Sequence, residues 1–303
     1  MPEVHRAAAA CSANDAAGGG RRPDWRAPLL LGYVVVGAAL IVTSAEPLAS
    51  ALTRLLAGPD PTELAFEGCA RLAVGIAISV LALAGMLLSG VRPPAGLGPW
   101  RLTGAAFPAG FVAVSIALAG GWAAGVAGLR PGGGVVDGEA FLLGTLVILL
   151  CVVAEEMLLR GLLQPALVGA WGARVGVPLC ALAFAAIHMV GGWGHPFSLL
   201  NILLAGIWFG LLALRSGGLA APILAHLGYN WTEEMLFGAS PNPGAGAFGS
   251  VIDVDLTGEA IWGGSVEGLN ASLAVSLVLA ALILPLVRRP VKRIQSGEAT
   301  ARS

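Results

Sequence analysis

Charge is what this sequence has least of. Only 12% of its 303 residues are charged, about half the ~25% usual for a soluble globular domain. There are 17 basic residues, and a single lysine, Lys292, is among them. No basic stripe interleaved with aromatics occurs, and the net charge is −1, so no nucleic-acid partner is expected. Cysteine is also scarce. Cys11, Cys69, Cys151 and Cys180 show no CxxC spacing, which argues against a disulfide framework. They read as apolar packing residues, with Cys11 a tail thiol. The order of a cleavable signal peptide is missing too, because a long Gly/Ala-rich, Arg-containing stretch precedes the first apolar run. Residues 1–26 are therefore expected to be a disordered cytoplasmic tail.

What the sequence has in abundance is apolar and small residues. Hydrophobic residues make up 56% of the chain and glycine contributes 44 positions; the mean hydropathy is +0.82. Helices that face lipid are apolar all round, and small residues let them pack closely. Crossing ~30 Å of hydrocarbon takes roughly 20 residues. Eight runs approach that length, at 28–45, 70–90, 104–128, 139–165, 173–190, 198–215, 219–237 and 268–287. The first could continue toward residue 57 as an interfacial helix. The expected fold is an all-α polytopic transmembrane helix bundle of about eight spans. Its N-terminal helices lie within 27–135, a catalytic core within 139–237, an external, partly mobile loop at 238–267, and a last helix with a basic cytoplasmic tail at 268–303.

Charge placement agrees with that count. Basic residues collect in cytoplasmic loops. With eight spans both termini share a side, and Arg6, Arg21, Arg22, Arg26, Arg288, Arg289, Lys292, Arg293 and Arg302 flank them. Arg92, Arg101, Arg174 and Arg215 fall in loops on the same side, whereas Asp60, Glu63, Asp137, Asp253, Asp255 and Glu259 fall opposite. An integral protein of the plasma membrane with both termini cytoplasmic follows, its lipid the first partner.

Ionisable residues inside a span cost on the order of 2.5–3.5 kcal/mol each and usually mark function. Three spans carry them at regular spacing. In EEMLLR (155–160), Glu156 and Arg160 share a helix face and can pair. Glu155 is rotated ~100° away and has no local cation, so it is free for general-base work. In FAAIH (184–188), Phe184 shares a face with His188 and can help fix its imidazole. In HLGYN (226–230), His226 and Asn230 project together, with Gly228 leaving room for a neighbouring helix or a substrate backbone. A carboxylate, two imidazoles and a carboxamide can activate a water as general base with hydrogen-bonding partners. Equally, Glu155, His188 and His226 could hold a divalent metal such as zinc.

In order and spacing, EExxxR, FxxxH and HxxxN resemble the motifs of the CAAX-protease and bacteriocin-processing family of intramembrane endopeptidases, also called the Abi or type II CAAX prenyl endopeptidase family. The resemblance covers about 140–237. It implies proteolysis of a membrane-associated peptide or protein, prenylated or not. Glu155 and His188 would activate water, His226 and Asn230 would stabilise the oxyanion, and Glu156, Arg160 and Phe184 would give structural support. A peptide would enter by a lateral or cytoplasmic gap. Two other readings use the same residues: a non-catalytic scaffold or bacteriocin-immunity protein of this fold, and a proton-coupled transporter with Glu155 and His188 as relay.

Other polar residues carry plainer expectations. Glu233 and Glu234 read as solvated at a span end, and Trp193, Trp208, Trp231 and Trp262 as belt or packing aromatics. His195 reads as a loop residue, and Asn270-Ala271-Ser272 as a chance match to the glycosylation pattern. By sequence position, Glu155 and His226 fall in the cytoplasmic half of the membrane and His188 in the outer half. Helix tilt or a re-entrant 166–174 segment would be needed to bring them together.

Overall fold

The structure is a computed structural model that describes residues 25–288 apart from 132, 135, 136 and 245. Cys11, the tail arginines before residue 25 and the basic segment from residue 289 lie outside the described residues.

The chain folds into an all-α bundle. Helix α1 spans Arg26–Thr43, α2 Ala45–Ala57, α3 Glu63–Ser89 and α4 Trp100–Ala123. A continuous element then runs from Gly138 to Trp171. It consists of α5 (Gly138–Glu156), a π-helical turn (Met157–Leu163) and α6 (Gln164–Trp171). Then follow α7 (Ala173–Val190), α8 (Pro196–Ser216), α9 (Ala220–Trp231) with a π turn at Thr232–Leu236, and α10 (Leu273–Arg288). Six of these elements are long and apolar enough to cross a membrane: α1, α3, α4, the α5–α6 element, α7 and α8. The remaining two expected spans, at 219–237 and 268–287, appear as the shorter α9 and α10. Leucines such as Leu40, Leu83, Leu87 and Leu146 point outward, as the lipid-facing surface of a membrane bundle requires.

Several boundaries differ from expectation. The first run breaks at Ser44 instead of continuing to residue 57, and α2 is a separate helix. The 166–174 segment is no re-entrant loop, because the fourth helix carries on to Trp171 and reverses at Gly172. Elsewhere local chemistry sets the ends as usual. The Thr62 hydroxyl caps α3, the Asp137 carboxylate accepts from the amides of Glu139 and Ala140, and Gly90 closes α3 in the left-handed conformation.

The bundle has two distinct ends. At one, segments 58–62, 124–137, 191–195 and 237–272 gather. A short strand β1 (Ala127–Leu129) pairs antiparallel with β2 (Val254–Leu256). Arg130 bridges to Asp253 and Asp255, and the Glu267 carboxylate accepts from the amides of Gly194 (2.8 Å) and His195 (2.9 Å). At the other end Ala95 bridges Gly218, and Arg215 donates to the Leu286 carbonyl. The long segment 238–267, expected to be partly mobile, is folded down onto the helices. Phe248, Val254 and Leu256 are buried, and its strand pairing fixes it.

Candidate active site

Helix α9 lies against α4 with almost nothing between the backbones. A Cβ on Gly228 would collide with the Phe107 carbonyl, and one on Gly110 with the Ala225 carbonyl. Of the two uses the sequence allowed for Gly228, the structure takes the neighbouring helix. That close approach seats His226 and Asn230 against the bundle interior.

On α5, Glu156 and Arg160 are fully buried and pair at 2.7 Å. A buried pair is tolerable only when its remaining donors and acceptors are also used. Here Arg160 also donates to the Gly206 carbonyl at 3.1 Å, and its guanidinium lies over the rings of Phe184 and Phe209. The same Glu156 oxygen that meets Arg160 lies 2.9 Å from His226 Nδ1. Glu156 therefore does more than neutralise Arg160: an ionised carboxylate only accepts, so it fixes a proton on His226 Nδ1. The His226 ring stacks on Phe209 at 4.6 Å.

This leaves His226 Nε2 facing Glu155, 4.0 Å from its Oε2. Glu155, which the sequence left without a partner, thus has an imidazole beside it. Its side chain is 27% exposed, yet Oε2 itself is buried without a hydrogen-bond partner. Such an orphaned oxygen in a polar cleft calls for a functional explanation. His188 Nδ1 lies 2.9 Å from the Phe184 carbonyl. A carbonyl only accepts, so Nδ1 carries the proton and Nε2 keeps its lone pair. The Phe184 ring sits edge-on to the imidazole at 4.3 Å. Phe184 thus fixes His188 by carbonyl and ring together.

Glu155, His188, His226 and Asn230 all line one cavity of about 300 Å³. The expected split between halves of the membrane does not occur. The long fourth helix puts Glu155 near its middle, while His188 and His226 lie toward the other ends of α7 and α9. A smaller recess of about 120 Å³ branches from Glu155 and His188 between α1, α3 and α7, with Ala38, Val42 and Ile78 on its walls.

The opposite wall is polar and was not anticipated. Glu233, expected to be solvated, is buried and accepts from Asn270 Nδ2 at 2.8 Å. The Tyr229 hydroxyl donates to Asn270 Oδ1 at 3.2 Å. Glu234 pairs with Arg71 at 3.1 Å, and Arg71 with Glu67 at 2.9 Å. Asn270 is thus an internal bridging group. Trp193, expected in an aromatic belt, lines the cavity, whereas Trp208 is a packing residue and Trp231 donates to Thr145. The His195 ring accepts from the Phe197 amide at the start of α8. No local signal reveals the Glu233–Asn270 and Arg71–Glu234 contacts, since each spans two distant helices or loops.

As placed, Glu155, His188 and His226 do not converge on a metal. Among the described residues no group of three His, Cys, Asp or Glu side chains could hold one. No step below is routed through zinc.

The fold and cavity define a polytopic membrane protein with a carboxylate–imidazole site enclosed by its helices. Residues 137–232 match the model of the family described as type II CAAX prenyl endopeptidase, Rce1-like, so the resemblance carried by the three motifs holds over that stretch, about a third of the chain. The match is to a protease family and the helices are those of an integral membrane protein. No curated protein and no solved structure matches.

Proposed function

We propose that this protein is an intramembrane endopeptidase that hydrolyses a peptide bond of a membrane-associated protein or peptide precursor. The observation that carries the reading is the meeting of Glu155, His188, His226 and Asn230 on one cavity. Glu155 has an unpartnered carboxylate oxygen, and His188 has a free Nε2 lone pair. Either can accept a proton from water as it attacks the carbonyl carbon, and the same proton can pass to the leaving amine. His226 Nε2 and the Asn230 carboxamide supply donors for the tetrahedral oxyanion. An Nε2 donor requires the doubly protonated ring, whose charge Glu155 and Glu156 on either side would balance. The apolar recess beside Glu155 suits a substrate that arrives from lipid. A prenylated C-terminal peptide is one substrate the family match suggests; an unmodified membrane-anchored segment is another.

The test uses detergent-purified protein and a quenched-fluorescent library of membrane-anchored and prenylated peptides. Wild type and Glu155→Ala are compared with and without a zinc chelator. Cleavage by wild type alone is the expected result, and the chelator arm reads metal dependence directly. A folded Glu155→Ala protein that cuts as fast as wild type would sink the assignment.

A further inference from the structure

The cavity has a direction. Its lining runs from the catalytic side chains to Trp193, Asn242, Gly244 and Asn270. All four belong to the segments gathered at one end of the bundle. None of the lining comes from residues 90–99, 172 or 217–219, the connections at the other end. Toward that other end the buried Glu156–Arg160 pair and Leu158, Leu159, Leu162 and Leu163 fill the interior.

The two ends also differ in charge. α1 is oriented by the contact of Val42 with Gly191, which puts Arg26 at the closed end. Arg92, Arg101, Arg174, Arg215 and Arg288 lie at the same end, next to the starts of α4 and α7 and the ends of α8 and α10. In the sequence Arg21, Arg22, Arg289, Lys292 and Arg293 flank it further. The open end has Arg54 on α2, and Arg130, which is bridged to Asp253 and Asp255; Arg71, inside α3, is paired to Glu67 and Glu234. Lysine and arginine in short loops near span ends set membrane orientation, and acidic residues contribute little to it. The bias of arginines therefore puts the closed end in the cytoplasm.

We infer that the catalytic cavity opens on the non-cytoplasmic face of the membrane, opposite the cytoplasmic gap expected from sequence. If the peptidase reading above is right, the substrate is a segment already carried across the membrane and still tethered to it. The charge asymmetry and the lining together carry this inference; neither does so alone. Lining without charge gives an end but no side, and charge without lining gives a side but no mouth.

The experiment reads sidedness separately from activity. In cells expressing the full chain with its native cysteines replaced, single cysteines are introduced as Asn242→Cys, Glu259→Cys and Arg92→Cys. A membrane-impermeant maleimide should label the first two in intact cells and the third only after permeabilisation. C-terminal fusions give a second readout that needs no cysteine replacement: a fluorescent protein should be bright, and alkaline phosphatase inactive. Labelling of Arg92→Cys from outside, or an active phosphatase fusion, overturns the inference. Peptide libraries tethered on each face complete the test. Cutting on the outer face alone is expected, and cutting only on the cytoplasmic face overturns the inference. If labelling and fusions come out as expected and no tethered peptide is cut, the orientation stands and the peptidase reading falls.

Discussion

Glu156 Oε1 stands 2.9 Å from His226 Nδ1, joining the first motif to the third across 70 positions of sequence. The same oxygen holds Arg160 at 2.7 Å. One carboxylate therefore decides which nitrogen of His226 carries the proton. Glu156→Gln should lower kcat by about 10²–10⁴-fold, the range expected when an imidazole loses the group that orients it. Steady-state kinetics on protein verified as folded checks this. A loss below threefold would show that His226 keeps its tautomer without Glu156.

Two arginines with comparable ion pairs should behave oppositely. Arg160 is 1% exposed, and removing it leaves Glu156 buried with one partner fewer. Arg160→Ala should cost about 3–5 kcal/mol or prevent folding. Arg130 has a side chain 42% exposed, and Arg130→Ala should cost less than about 1 kcal/mol. Thermal unfolding in one detergent, with the two variants in parallel, measures the difference.

Oxyanion donors act on the transition state more than on substrate binding. Asn230→Ala should reduce kcat by about 10²–10³-fold and leave KM near its wild-type value. An effect confined to KM would assign Asn230 to substrate binding instead.

Gly228 has no room for a side chain against the Phe107 carbonyl. Gly228→Val should force α4 and α9 apart at a cost of about 1–3 kcal/mol or more, and displace His226 and Asn230 together. The combination expected is a lowered Tm with activity lost out of proportion to the unfolded fraction. Gly104, which has open space around it, is the control: Gly104→Ala should leave both unchanged.

Glu267 gives a pH dependence outside the membrane. Its burial opposes ionisation, but the nearby Ser198 hydroxyl and the amides of Gly194 and His195 outweigh it and hold its pKa below the ordinary 4.5. The folded state therefore releases this proton more readily than the unfolded state. The resulting stability is present above the unfolded pKa and is lost as pH falls through the lower folded value. Acidification below pH 4.5 should lower Tm more for wild type than for Glu267→Gln. Identical acid slopes for the two would remove this role.

The sequence by itself determined the apolar spans and the members of the site. Both are local properties. A run of Leu, Val and Ala commits a segment to helix in lipid, and a spacing of four puts Glu156 beside Arg160 and Phe184 beside His188 whatever surrounds them. The three-motif pattern added the catalytic candidates, and they do share a cavity. Tertiary structure decided the rest. A lipid-spanning helix is apolar on every face, so its periodicity does not disclose which side meets which neighbour. That is why Glu156 reaching His226, Glu233 reaching Asn270 and Arg71 reaching Glu234 were invisible beforehand. It is also why Glu233 and Glu234 read as solvated and segment 238–267 as loose: burial there depends on strand pairing and packing with residues far away in sequence. The arginine bias fixed a side, but only the packed bundle established at which end the cavity lies.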